Sequence, residues 1–129
     1  MKYLKKFNEN NNNGLYVYKG QYGWACKFKN LLGKGRALII DNDTPFRSPV
    51  ELKEGELFLF GIETKPSNKG IGKIFLNQIF DYFDIDKLYL PSDSDHPVWN
   101  KIATKTDITV EMGSKTSTIF SLTKEQLNH

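Results

Sequence analysis

Residues 55–83 read GELFLFGIETKPSNKGIGKIFLNQIFDYF, and the fold turns on how this stretch is parsed. It opens with an apolar run, Leu57-Phe58-Leu59-Phe60-Gly61-Ile62, short and aromatic as a buried strand should be. A polar loop, Glu63 to Ser67 with Pro66 inside it, follows. The third part is a glycine turn, Asn68-Lys69-Gly70-Ile71-Gly72-Lys73. Beyond it the period changes. Ile71, Ile74, Phe75, Leu76, Ile79, Phe80 and Phe83 recur at spacings of three and four, the stripe of a core-facing helix.

Strand, glycine turn and helix together make an anion site. The first turn of a helix carries N–H groups without intrahelical acceptors and a partial positive charge. Gly70 and Gly72 lack a Cβ and let a phosphate approach the backbone, and Lys65, Lys69 and Lys73 add charge there. Two common phosphate motifs fail. A P-loop needs a glycine where Ser67 stands and a hydroxyl residue where Ile74 stands, and the dinucleotide fingerprint needs a third glycine at Phe75.

Ser67-Asn68-Lys69-Gly70-Ile71-Gly72 resembles the pyrophosphate loop of the GCN5-related N-acetyltransferases, Q/R-x-x-G-x-G/A, with Ser67 in place of the usual Gln or Arg. Asn100-Lys101-Ile102-Ala103 resembles the N-x-x-A that opens a later helix of that family. The resemblance spans Gly55 to Ser121, about half the chain. It implies an α/β, acyl-CoA N-acyltransferase-like fold: a mixed, mostly antiparallel sheet, splayed at Ile62, with one long helix after the loop. It implies acetyl-CoA as cosubstrate, held by residues 67–73 (Ser67, Asn68, Lys69, Gly70, Ile71, Gly72, Lys73), by Gly61 and Ile62 on the splayed strand, and by Asn100. The reaction implied is N-acetyl transfer to an amine, by direct attack in a ternary complex. The two helices that usually wall the acceptor side look reduced or absent in the 55 residues before Glu56, which implies an open acceptor site.

Such a transfer needs a base to neutralise the amine, N–H groups for the thioester oxyanion and close positioning of two substrates. By the resemblance the base is Glu56, eleven residues before Ser67, with Glu63 as the alternative. The family's tyrosine acid falls on Asp107, seven residues after Asn100, so the thiolate would be protonated by water or another group. Asp93 and Asp95, in the acidic loop Ser92–His96, are candidates to hold a cationic substrate, and both residues equally suit turns and caps. No metal site is expected: Cys26 is alone and the second histidine, His129, is terminal.

The rest of the chain sets bounds. One domain suits 129 residues, and 39% hydrophobic content supplies a core. A net charge of +3 suits an anionic cofactor and falls short of a dedicated nucleic-acid binder. A lone cysteine and no apolar leader point to the cytoplasm, and no stretch approaches the ~20 apolar residues of a membrane span. The partners expected are an amine-bearing small molecule or a protein acceptor, and a second copy in a homodimer, with no membrane and with nucleic acid unfavoured. Tyr16, Tyr18, Tyr22 and Trp24, interleaved with Lys19 and Lys27, define the alternative, a binding protein without catalysis whose aromatics stack bases or pack as an ordinary hairpin.

Along the chain, Met1–Phe7 reads as a strand or helical turn and 8–13 as a polar spacer. Gly14–Lys19 reads as a strand, Trp24–Phe28 as its hairpin partner or a helix start, Gly33-Lys34-Gly35 as a turn and Ala37–Ile40 as a buried strand. Lys87–Leu90 is a strand. Val98–Lys105 is a helix with Pro97 in its first turn and Asp95 or Ser94 as its cap. Ile108–Met112 and Thr118–Leu122 make a terminal hairpin.

Overall fold

A computed structural model describes residues 4–7, 14–66 and 70–129. Eight strands form one sheet: β1 (Leu4–Phe7), β2 (Gly14–Lys19), β3 (Trp24–Lys29), β4 (Lys34–Ile40), β5 (Glu56–Lys65), β6 (Lys87–Ser92), β7 (Thr104–Met112) and β8 (Lys115–Thr123). Their spatial order is β1-β2-β3-β4-β5-β6-β8-β7. Among the described residues only β5 and β6 run parallel, joined by helix α1 (Ile71–Phe83). Two shorter helices follow, α2 (Pro97–Ile102) and α3 (Lys124–Leu127).

Alternation across each strand sorts side chains to two faces. On one face Leu15, Val17, Cys26, Phe28, Ile39 and Leu59 meet Ile71, Phe75, Leu76, Ile79 and Phe80 of α1 in the main core. Phe28 and Phe75 stack there with centroids 5.4 Å apart. Among the described residues the opposite face is covered only in part. The loop 41–55 lays Val50 and Leu52 over Ile40, Phe58 and Ile119 in a second, smaller core. Trp24 ties that loop down by donating from Nε1 to Asp41 Oδ2 at 2.9 Å.

The acyl-CoA N-acyltransferase-like layout implied by the resemblance is corrected here. Strands dominate this chain: the helices span 13, 6 and 4 residues against an eight-stranded sheet. No long helix follows the loop, since α1 at 13 residues is only about 20 Å long. Before Glu56 the described residues hold strands, turns and bends and no helix. The physical reason lies in composition. Leu15-Tyr16-Val17-Tyr18 and Ala37-Leu38-Ile39-Ile40 are rich in aromatic and branched residues that fit a pleated surface.

Several local expectations change as well. Trp24–Lys29 is a strand, not a helix start, and pairs with β2 throughout. Glu63, Thr64 and Lys65 extend β5 rather than forming a loop, because β4 pairs with them to its first residue. The helix expected over Val98–Lys105 stops at Ile102, where Thr104 begins the β-branched run of β7. Its cap is His96, whose Nδ1 accepts from Val98 N at 3.2 Å and Trp99 N at 3.5 Å, in place of Asp95 or Ser94. The spacer 8–13 lies outside the described residues.

Cys26 is sealed in the main core and its thiol is pushed up to about 12 by burial, from 9.0. Between those values the unfolded chain ionises the thiol and the folded chain does not. The stability contribution is therefore whole below pH 9 and falls as pH rises toward 12, by up to about 4 kcal/mol. Denaturant melts of the native chain and of Cys26→Ala should lose stability at different rates above pH 9, the variant more slowly. Parallel curves would show that the thiol does not contribute.

Candidate functional site

The sheet opens between its two parallel strands. β5 and β6 pair only through Glu56↔Lys87, Leu57↔Leu88 and Phe58↔Tyr89. Beyond that point β5 pairs with β4 and β6 with β8, and the two strands part. A register shift between Leu38 and Ile39 leaves Phe60 as the extra residue on β5, and such a bulge bends the strand that carries it. From Leu59 onward the β5 edge that faced β6 has no strand partner among the described residues. Its backbone N–H and C=O groups form a template for an extended ligand with amides of its own.

The open end of this gap leads to the start of α1. Gly70 caps the helix with φ 74°, a left-handed conformation that favours glycine, and no side chain caps it. No acidic residue lies in the first turn. Gly61 and Gly72 are informative for a different reason. Among the described residues a Cβ built at either would meet nothing within 4 Å, so packing against them does not account for these glycines. Close approach of a ligand to the backbone would. Ile62 is half-buried against the main core, and Ile71 is buried in it. Lys73 is exposed on the first turn of α1. Ser67, Asn68 and Lys69 lie outside the described residues.

The expected base does not sit in the gap. Glu56 is at the closed end of the parallel pair, its Oε1 accepting from Lys53 N at 3.0 Å and its Oε2 at 3.9 Å from Lys87 Nζ. That is the bonding of a strand-start carboxylate holding its own turn. Glu63 lies near the other end of β5, exposed, with Oε1 accepting from Arg36 Nε at 2.8 Å. Asn100 spends its amide locally, donating to Ser94 O at 2.8 Å and His96 O at 2.9 Å. Asp93 pairs with Lys115 at 3.0 Å, and Asp95 is exposed on the same loop. Asp107 is exposed at the irregular stretch of β7. Gly61 and Ile62 thus lie on β5 past the point where it leaves β6, Gly70 and Gly72 at the start of α1, and Glu56 at the closed end of the parallel pair.

One set of residues escaped the sequence reading. Lys34 belongs to β4 rather than to a turn, and pairing aligns it with Lys29 and Lys65 on the two neighbouring strands, with Arg36 beside it opposite Lys27 and Glu63. Only cross-strand register could have revealed it. Conversely, Tyr16 and Tyr18 occupy the face away from α1, Trp24 packs edge-on against Phe83 on the α1 face, and Tyr22 rests on Phe46 in the loop. The four aromatics do not share a surface.

No protein-family model matches the chain, and no curated protein does. Among solved structures it is similar to an uncharacterized protein (bh2621) from Bacillus halodurans, at 13% identity and a TM-score of 0.44. That alignment covers 93% of this chain, which spans 63% of the other. No helix among the described residues is long and apolar enough to cross a membrane.

Proposed function

We propose that the chain binds acetyl-CoA along the path from the β5–β6 gap to the start of α1, and transfers its acetyl group to an amine. The observation that supports this best is the pair of unexplained glycines, Gly61 beside the gap and Gly72 in the first turn of α1, with open space where a side chain would be. An acyl-CoA is an extended ligand with amides along its arm and a pyrophosphate at one end. The unpaired β5 edge suits the arm, and the helix start with Lys73 on its first turn suits the pyrophosphate. In this reading the chain's own work is positioning: the edge orients the thioester, and its N–H groups stabilise the oxyanion that forms when a neutral amine attacks and collapses as the C–S bond breaks, the CoA thiolate leaving to take a proton from water.

Glu56 has no place in this step as the structure stands, and water carries the amine's proton. The second reading, a protein that binds the ligand without transferring the acyl group, draws on that same position of Glu56 at the closed end of the pair. A cytoplasmic location accords with an acetyl-CoA pool.

Gly72→Asp separates binding from folding. Its side chain enters open space, and both loss of a mid-turn glycine and a negative charge at a helix start should stabilise α1, by about 1 kcal/mol together. The same charge opposes a pyrophosphate. Calorimetric titration should show micromolar acetyl-CoA binding by the native chain, weakened about tenfold or more in a variant that melts no lower. No heat at millimolar acetyl-CoA removes the proposal. Binding without product from a panel of amines would favour the second reading.

A further inference from the structure

The face of β3, β4 and β5 turned away from α1 carries a grid of charge that pairing makes explicit. In one row Lys29 stands opposite Lys34, and Lys34 opposite Lys65. In the next Lys27 stands opposite Arg36, and Arg36 opposite Glu63. All five cations are exposed. Glu63 is engaged by Arg36, and no carboxylate pairs with Lys29, Lys34 or Lys65 among the described residues. Like charges directly opposite one another on a sheet are destabilising. Three lysines in one row therefore oppose the fold, and no ion pair among the described residues offsets them.

This row borders an open cavity of about 510 Å³. Tyr16, opposite Lys27 on the neighbouring strand, lines the same cavity. The loop 41–55 that covers the other half of this face does not reach it: that loop's buried residues pack on Ile40, Phe58 and Ile119. The spacing is also apt. Residues two apart on a strand are about 6.7 Å apart, and adjacent strands about 4.8 Å, which brackets the repeat of a phosphate backbone.

We propose that this face binds single-stranded nucleic acid, with the Lys29-Lys34-Lys65 row and Lys27 on the phosphates and the Tyr16 ring against a base. Charge complementarity selects a polyanion, and an aromatic ring within the basic grid selects one with bases over an acidic polypeptide. The inference is independent of the acetyl-CoA reading, since it uses the opposite face of the sheet from α1.

The test is fluorescence anisotropy of the full chain with a labelled oligothymidylate of about twelve nucleotides, a length within the range one small domain covers. With about four phosphates neutralised, affinity should fall roughly fiftyfold between about 50 and 200 mM salt. Lys29→Glu/Lys34→Glu should abolish binding, and Lys29→Gln/Lys34→Gln should weaken it about tenfold or more. Tyr16→Ala should weaken it by about fivefold or more. Lys105→Glu, exposed on β7 at the far edge of the sheet, should change nothing. The proposal is overturned if the oligonucleotide does not bind at low salt, if the lysine variants bind as the native chain does, or if a polyglutamate of equal charge competes as well as unlabelled oligothymidylate.

Discussion

Gly33→Ala is expected to cost the fold about 3 kcal/mol or more, through a single methyl group with nowhere to go. A Cβ there would lie 2.2 Å from Lys65 O, 2.4 Å from Ile71 Cδ1 and 2.8 Å from Pro66 Cδ. The closest of these atoms is backbone, held by the pairing of Lys34 with Lys65 at the end of the β4–β5 ladder. The turn cannot retreat either, because Gly33 N donates to Asn30 Oδ1 at 3.0 Å and its carbonyl accepts from Asn30 N at 2.9 Å. Relief requires parting β5 from β4 or shifting the first residue of α1. Denaturant melts of the two proteins would measure the loss. A difference below about 1 kcal/mol would mean that the turn yields more easily than its hydrogen bonds suggest. Gly33 thus holds together three things that the two proposals use: the last row of the cation grid, the end of β5 and the start of α1.

Phe75→Ala should be comparably severe, at about 3–5 kcal/mol. Phe75 is fully buried, stacks on Phe28 at 5.4 Å and fills the space above Gly35, where an added Cβ would come within 2.9 Å of its ring. Truncation removes the ring from both contacts at once. The sheet cannot collapse into the void without giving up the Phe28–Gly35 pair in the β3–β4 ladder. For a domain whose whole stability is about 5–15 kcal/mol, that loss approaches the margin. Phe75→Leu keeps most of the volume and should retain most of the stability. Equal losses for leucine and alanine in urea melts would point to the ring contact, rather than the cavity, as the dominant cost.

These sites show which parts of the molecule were legible in sequence. The beginning and end of α1 were, because Gly70 and the three-and-four spacing through Phe83 are local signals that tertiary packing did not overrule. The end of β5 was not. Glu63-Thr64-Lys65 looks like a polar loop, and it is a strand only because Arg36, Gly35 and Lys34 lie alongside it. The end of α2 was misplaced for a related reason. Ile102 and Ala103 continue a helical spacing, yet Thr104 to Val110 prefers a strand, and β8 is there to pair with it. The family layout was misjudged because a six-residue loop motif says little about how the 55 residues before Glu56 will fold. The proposed catalytic carboxylates were matched by spacing alone, and spacing could not show that Glu56 would be bonded to Lys53 or Glu63 to Arg36. The cation row is the reverse case. It is invisible along the chain, where its members fall at 29, 34 and 65, and evident once register is known.

The spatial order of the strands also sets an order in time. β1 to β5 lie side by side in the sequence order in which a ribosome makes them, so each can pair with its predecessor as it emerges. The second half does not work that way. β8 follows β7 in the chain, yet it sits between β6 and β7. Until it emerges, β7 has no neighbour and one flank of β6, with Leu88 and Leu90, is bare. A nascent chain therefore carries a half-finished sheet with an adhesive border until β8 has been made, and the interval before β8 docks is when it is most exposed to pairing with the wrong chain.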